Sequence, residues 1–99
     1  MVHVLAIITA HPGQRTQLLE AFHANVANVR AEAGCIEYAA AVDAATSPAK
    51  FGDDTFVVIE KWQTPEHLQA HAVAPHMKAY AEKTKSWVKE RAIHVLTPV

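Results

Sequence analysis

The sequence predicts an α+β domain whose elements run β-α-β-β-α-β, and three observations carry that reading. Runs of β-branched and aliphatic residues at 3–10 (HVLAIITA), 55–62 (TFVVIEKW) and 91–96 (RAIHVL) have the composition of strands. Between the first two, Leu18, Leu19, Phe22, Val26, Val29 and Ala33 recur every three or four residues, the spacing that lines one face of a helix. Turn-forming residues punctuate the chain at His11-Pro12-Gly13, at Gly34 and across the Asp-, Ser- and Pro-containing segment 43–50.

Taken in order, the first strand covers His3 to Ala10 and ends at Pro12-Gly13. The helix from Gln14 to Ala33 stops at Gly34, a residue suited to positive φ. Cys35 to Val42 (CIEYAAAV), bounded by Gly34 and the 43–50 segment, reads as the second strand despite its alanines. Thr55 to Trp62 is the third, with Phe56, Val58, Glu60 and Trp62 on one face and Thr55, Val57, Ile59 and Lys61 on the other. The two form a hairpin with a long loop. Thr64-Pro65-Glu66 starts a helix, with Thr as N-cap, Pro at the first helical position and a carboxylate in the first turn. Pro75 divides that helix into a short piece carrying His67, Leu68 and His71 and a longer one from His76 to about Lys89, which takes in Tyr80 and Trp87. Arg91 to Leu96 closes the chain as a fourth strand.

This order is the split ferredoxin-like arrangement, in which both helices cover one face of a four-stranded antiparallel sheet. The uncovered face can be buried by a second copy packing sheet on sheet about a two-fold axis, giving a dimeric α/β barrel, so a homodimer is expected. Composition points the same way, because 51% apolar against 19% charged residues is generous for a chain that stays monomeric.

With 99 residues the chain supports one domain, 1–99. Nine Lys plus Arg against ten Asp plus Glu give a formal charge of -1 with no basic run, which argues against nucleic acid or an anionic membrane as partner. No apolar stretch approaches the roughly 18 residues of a membrane span, and the first strand does not resemble a signal peptide. The single cysteine, Cys35, permits neither an intramolecular disulfide nor a Cys-based zinc site, in keeping with a reducing compartment. A cytoplasmic protein is expected.

Gly34-Cys35-x-x-Tyr38, then Phe56 to Glu60-x-Trp62, then Thr64-Pro65-Glu66 leading to Ala70-His71 and Pro75-His76-Met77, follow one another in an order and spacing similar to the antibiotic biosynthesis monooxygenase family. The similarity spans nearly the whole chain, although the 43–54 loop is longer than usual for the family. Members include cofactor-independent oxygenases of quinols and phenols, haem-degrading enzymes and an isomerase of a small sugar, so the fold does not select the chemistry. The resemblance implies a pocket between sheet and helices near Tyr38, Trp62, His71 and His76. The haem-degrading branch is similar only in outline: the first strand lacks its asparagine, its tryptophan position falls on His71, and its iron-ligand position falls on Ala81.

Oxidation of a phenol or quinol by dioxygen without a cofactor requires a base to deprotonate the substrate and a site that excludes water. Neutral imidazole suits that task at cellular pH. The resemblance makes His71 the first candidate base; His76 is the second, because the helix break at Pro75 frees backbone groups and such a break commonly borders a pocket. The plainer alternative for His71 is a half-buried histidine whose ring is merely hydrogen-bonded, and for His76 a solvent-facing polar residue. Tyr38 can bond a substrate hydroxyl and joins the histidines as a catalytic candidate. Trp62, Glu60 and Met77 are the candidates for binding the substrate, Trp62 as a flat apolar wall and Glu60 on the same strand face; core packing is the competing role for the tryptophan. His67-x3-His71 puts two imidazoles on one helical face, as in some metal sites, with Glu60 as a conceivable third ligand. No dedicated zinc motif accompanies them, so neither metal nor cofactor is assigned. The expectation is therefore a cofactor-independent monooxygenase of a small aromatic. The alternatives are a small-molecule isomerase using the same acid and base, or a non-catalytic dimeric binding or stress protein.

Overall fold

A computed structural model describes all 99 residues. Strand β1 (Val2–Ala10) is followed by α1 (Arg15–Arg30), β2 (Cys35–Ala41), β3 (Thr55–Trp62), α2 (Pro65–Ala72), α3 (Pro75–Thr84) and β4 (Val88–Leu96). The four strands form one antiparallel sheet in the order β2-β3-β1-β4, the expected ferredoxin-like α+β arrangement.

Period-two alternation decides which residues meet the helices. Val2, Val4, Ala6 and Ala10 of β1 and Phe56, Val58, Glu60 and Trp62 of β3 are buried on the helix side. From α1, Leu18, Phe22 and Val29 close the core, where Phe22 stacks on Tyr38 at 5.2 Å and meets Phe56 edge-on at 5.9 Å. On the opposite side of the sheet, Leu5 and Ile59 face each other across the β1–β3 pair with nothing over them.

Two local signals read from the sequence hold, and a third holds in part. Gly34 has the expected positive φ, +80, but α1 ends at Arg30 rather than Ala33, where Glu32 N–H tightens the chain onto the Val29 carbonyl, so Gly34 closes the α1–β2 turn instead of stopping the helix. Thr64 caps α2 by accepting the backbone N–H of His67 at 3.2 Å. Pro75 opens α3 after a break at Val73-Ala74. Gly34 is constrained twice over, because a Cβ there would lie 2.3 Å from Cγ of the His67 ring, itself tethered by the Thr64 hydroxyl at 2.7 Å. Gly34→Ala is expected to cost about 1–3 kcal/mol through positive φ and this overlap, read as a lower urea midpoint at unchanged m-value.

The third helical segment is shorter than the periodicity implies. It ends at Thr84, so Trp87 lies in a turn and β4 starts at Val88, three residues before Arg91. The reason is tertiary: His11 N–H donates to the Trp87 carbonyl at 2.9 Å, and Val88 pairs with Ala10. Edge pairing to β1 claims residues that a continuing helix would have used. In compensation for the lost turn, Trp87 packs against the core. The β2–β3 loop is held by Asp43, whose carboxylate accepts the N–H groups of Phe51 and Gly52 at 3.0 and 2.9 Å. These bonds hold the Asp43 carboxyl below the usual range.

Candidate active site

Trp62, at the end of β3 remote from the 43–54 loop, is the centre of a polar cluster on the helix side of the sheet. Thr55 and Trp62 are the two ends of this eight-residue strand, roughly 23 Å apart at 3.3 Å per residue. The long loop of one chain therefore does not border this cluster in the same chain.

Each member is placed by a different element. Cross-strand pairing sets Tyr38 opposite Glu60 on one face, and alternation puts Trp62 on the same face. Trp62 Nε1 donates to Glu60 Oε1 at 3.0 Å. His71, on the last turn of α2, lays its imidazole over both aromatics, with ring centroids 4.7 Å from Trp62 and 5.5 Å from Tyr38. Trp62 is fully buried, and Tyr38 and His71 are each only 5% exposed. The flat face expected to receive a substrate ring is thus covered in part by the His71 ring.

Glu32 completes the cluster. It stands in the turn after α1, where its N–H donates to the Val29 carbonyl at 3.0 Å and its carbonyl accepts Cys35 N–H at 3.2 Å. Its Oε2 accepts His71 Nδ1 at 2.9 Å and His76 Nε2 at 2.8 Å. The two histidines singled out in the sequence are therefore joined through a carboxylate that sequence reading did not select. Met77 lies next to His76, but its sulfur accepts Asn25 Nδ2 at 3.4 Å, which turns it toward α1. His67 bonds the Thr64 hydroxyl and does not share a ligand set with His71.

Five polar atoms of this cluster have no protein partner: His71 Nε2, Glu60 Oε2, the Tyr38 hydroxyl, Glu32 Oε1 and His76 Nδ1. No sealed side-chain nitrogen or oxygen lacks a hydrogen bond, so each of these atoms reaches the surface of the fold. An imidazole, a carboxyl and a phenol thus present free edges from one packed cluster. Two clefts lie elsewhere. One of about 600 Å³ runs between α3 and β4, lined in part by Ile8, Tyr80, Val88 and Arg91. Another of about 210 Å³ lies between α1 and α3 and reaches His76 but not His71.

Burial tunes the ionisable members. Desolvation pushes the Glu60 carboxyl up, opposed by the Trp62 N–H and by His71 and reinforced by Glu32. Burial, then Glu60, also drives the Tyr38 phenol far above its ordinary range, so it remains a neutral donor. Tyr80 is pushed up to about 12, again by burial. For Glu60 the sign of the linkage is unfavourable. The unfolded chain gives up this proton first, so stability falls as pH rises from the ordinary carboxyl value through the folded one and stays lower above it. Glu60→Gln keeps an acceptor for Trp62 and directs its amide toward the open side. Its melting temperature is expected to exceed that of wild type by a few degrees at pH 7, with the gain vanishing near pH 4. An equal gain at both pH values would contradict this origin.

The chain belongs to the antibiotic biosynthesis monooxygenase family, whose pattern it matches over residues 1–83, and its antiparallel ferredoxin-like sheet agrees with that class. Among its relatives, the "Probable quinol monooxygenase YgiN" of Escherichia coli K12 is 41% identical over 102 residues, covering 99% of this chain and 98% of that protein. The crystal structure of PA3566 from Pseudomonas aeruginosa superposes with a TM-score of 0.84 at 28% identity, over 99% of this chain and 93% of that one. Rv0793 from Mycobacterium tuberculosis gives 0.82 at 25% identity, over 99% and 94%. No helix is long and apolar enough to cross a membrane.

Proposed function

We propose that this protein is a cofactor-independent monooxygenase that oxidises a small aromatic, a quinol or phenol, with dioxygen. The observation that carries the reading is His71: anchored through Nδ1 by Glu32, packed on Trp62, and left with a free Nε2 beside the free edges of Tyr38 and Glu60. The name printed for the Escherichia coli relative agrees with it.

In this reading His71 Nε2 takes the proton of the substrate hydroxyl, while Tyr38, neutral throughout, donates to an oxygen of the ring. The resulting phenolate is rich enough in electrons to react with dioxygen. For a quinol, one oxygen atom enters the ring and the other leaves as water, and the substrate supplies all four electrons as it becomes a hydroxyquinone. The shared burial of Trp62, Tyr38 and His71 supports the exclusion of bulk water that such an intermediate requires. Met77, turned toward Asn25, is assigned the outer wall rather than direct contact.

The test is oxygen uptake by metal-stripped protein with a panel of hydroquinones and phenols, against autoxidation without protein. Protein-dependent uptake with one labelled oxygen atom in the product supports the reading. Uptake equal to autoxidation across the panel rejects it.

The homodimer is part of the same proposal. Leu5 and Ile59 are exposed on the bare sheet face. On β4, Ile93 and Val95 are 58% and 59% exposed on the helix side, beyond the reach of α2 and α3. An edge strand this apolar favours a covering partner. Light scattering at micromolar concentration is expected to give twice the 10.8 kDa chain mass; a monomeric mass would refute the dimer.

A further inference from the structure

A general base needs more than a free nitrogen, because an imidazole has two tautomers and only one leaves Nε2 basic. An ionised carboxylate has only acceptors, so a ring nitrogen at 2.9 Å from Glu32 Oε2 must present its N–H to it. His71 then carries its proton on Nδ1 and its lone pair on Nε2, the atom that reaches the surface. Glu32 is itself held. His76 Nε2 donates to the same oxygen at 2.8 Å from the first turn of α3, and the backbone bonds of Glu32 to Val29 and Cys35 pin its turn. Its side chain is 14% exposed, so the bond is partly shielded from water.

Resting on the oxygenase reading, we propose that Glu32 is the positioning residue of the site. It sets the Nδ1–H tautomer of His71 and stabilises the imidazolium that forms when Nε2 takes the substrate proton. His76 serves as the clamp that holds Glu32 in register. The assignment moves His76 from second candidate base to support, because the nitrogen it turns toward the cluster is occupied by Glu32. The role requires a charge at position 32 and no contact between Glu32 and the substrate. The other titratable groups around His71 are Cys35 and Tyr38 on β2, Glu60 on β3, His76 on α3 and, on its own helix, His67.

The test combines ring-nitrogen NMR of the histidines with the pH profile of oxygen uptake, for wild type, Glu32→Gln, Glu32→Asp and His76→Gln. Wild-type His71 is expected as the Nδ1–H tautomer. Glu32→Gln preserves volume but removes the charge, so His71 is expected to lose its proton at lower pH. The acidic limb of the uptake profile should move with it, and the rate should fall at least about tenfold. His76→Gln should retain the tautomer with broadened His71 signals and a smaller loss. Glu32→Asp should restore part of the wild-type titration. An Nε2–H tautomer in wild type, or an unchanged His71 titration in Glu32→Gln, overturns the proposal. The NMR readout needs no turnover, so absence of uptake in wild type would remove the oxygenase reading while leaving the positioning role to be decided by the tautomer alone.

Discussion

Alanine at position 71 is expected to lower protein-dependent oxygen uptake by about 10²–10⁴-fold, the range for loss of a general base. Alanine also removes packing, since the imidazole rests on Trp62 and Tyr38, so a fall in rate alone does not separate base from filler. His71→Asn makes the separation. Asparagine can still donate to Glu32 and fill part of the space, but its amide does not accept a proton near neutral pH. Both variants are expected to show the same loss while the melting temperature of the asparagine form stays closer to wild type. Uptake near the wild-type rate in His71→Asn would show that position 71 supplies packing and that the base lies elsewhere.

The second large effect is on stability. Trp62 is fully buried among Val2, Val4, Tyr38 and the other residues of the core cluster, and truncating such a side chain to alanine costs about 3–5 kcal/mol. Against the 5–15 kcal/mol by which domains of this kind are usually stable, that takes much of the margin. Two contributions are mixed in that figure, because Trp62 also supplies the N–H that Glu60 accepts. Trp62→Phe divides them: most of the apolar area stays while a buried carboxylate oxygen loses its donor, at about 1–3 kcal/mol. The cost of phenylalanine should shrink as pH is lowered and Glu60 is protonated, whereas the cost of alanine should persist. Urea titrations at pH 7 and near pH 4 check both. An alanine variant less than about 1 kcal/mol below wild type would mean that the cluster does not depend on this ring.

His71 and Glu60 each present a free edge while a second atom of the same group is held, by Glu32 and by Trp62. That combination explains why the site residues also matter to folding. His71 covers Trp62, Trp62 satisfies Glu60, and Glu32 ties α1 to α2 and α3. Measurements of activity in any of these variants therefore need stability measured beside them.

Local physics made much of this legible beforehand. The strand runs in β1 and β3 carry their own propensity, the α1 stripe its own period, and Thr64, Pro75 and Gly34 act through the backbone of their immediate neighbours. Such signals need no knowledge of distant residues. The β-α-β-β-α-β order with its bare sheet face, and the shared face of Glu60 and Trp62, could be read from local pattern and alternation, whereas cross-strand register and helix packing brought Tyr38 and His71 to that face. Tertiary structure decided the rest. Trp87 leaves the helical path because His11 and the edge of β1 offer hydrogen bonds to it and its neighbour. Glu32 had no local mark beyond its place before Gly34, because its partners lie 39 and 44 residues away. Backbone preference is written into neighbouring residues and can be read one segment at a time. A hydrogen bond between side chains on different elements exists only once the sheet and its helices have packed.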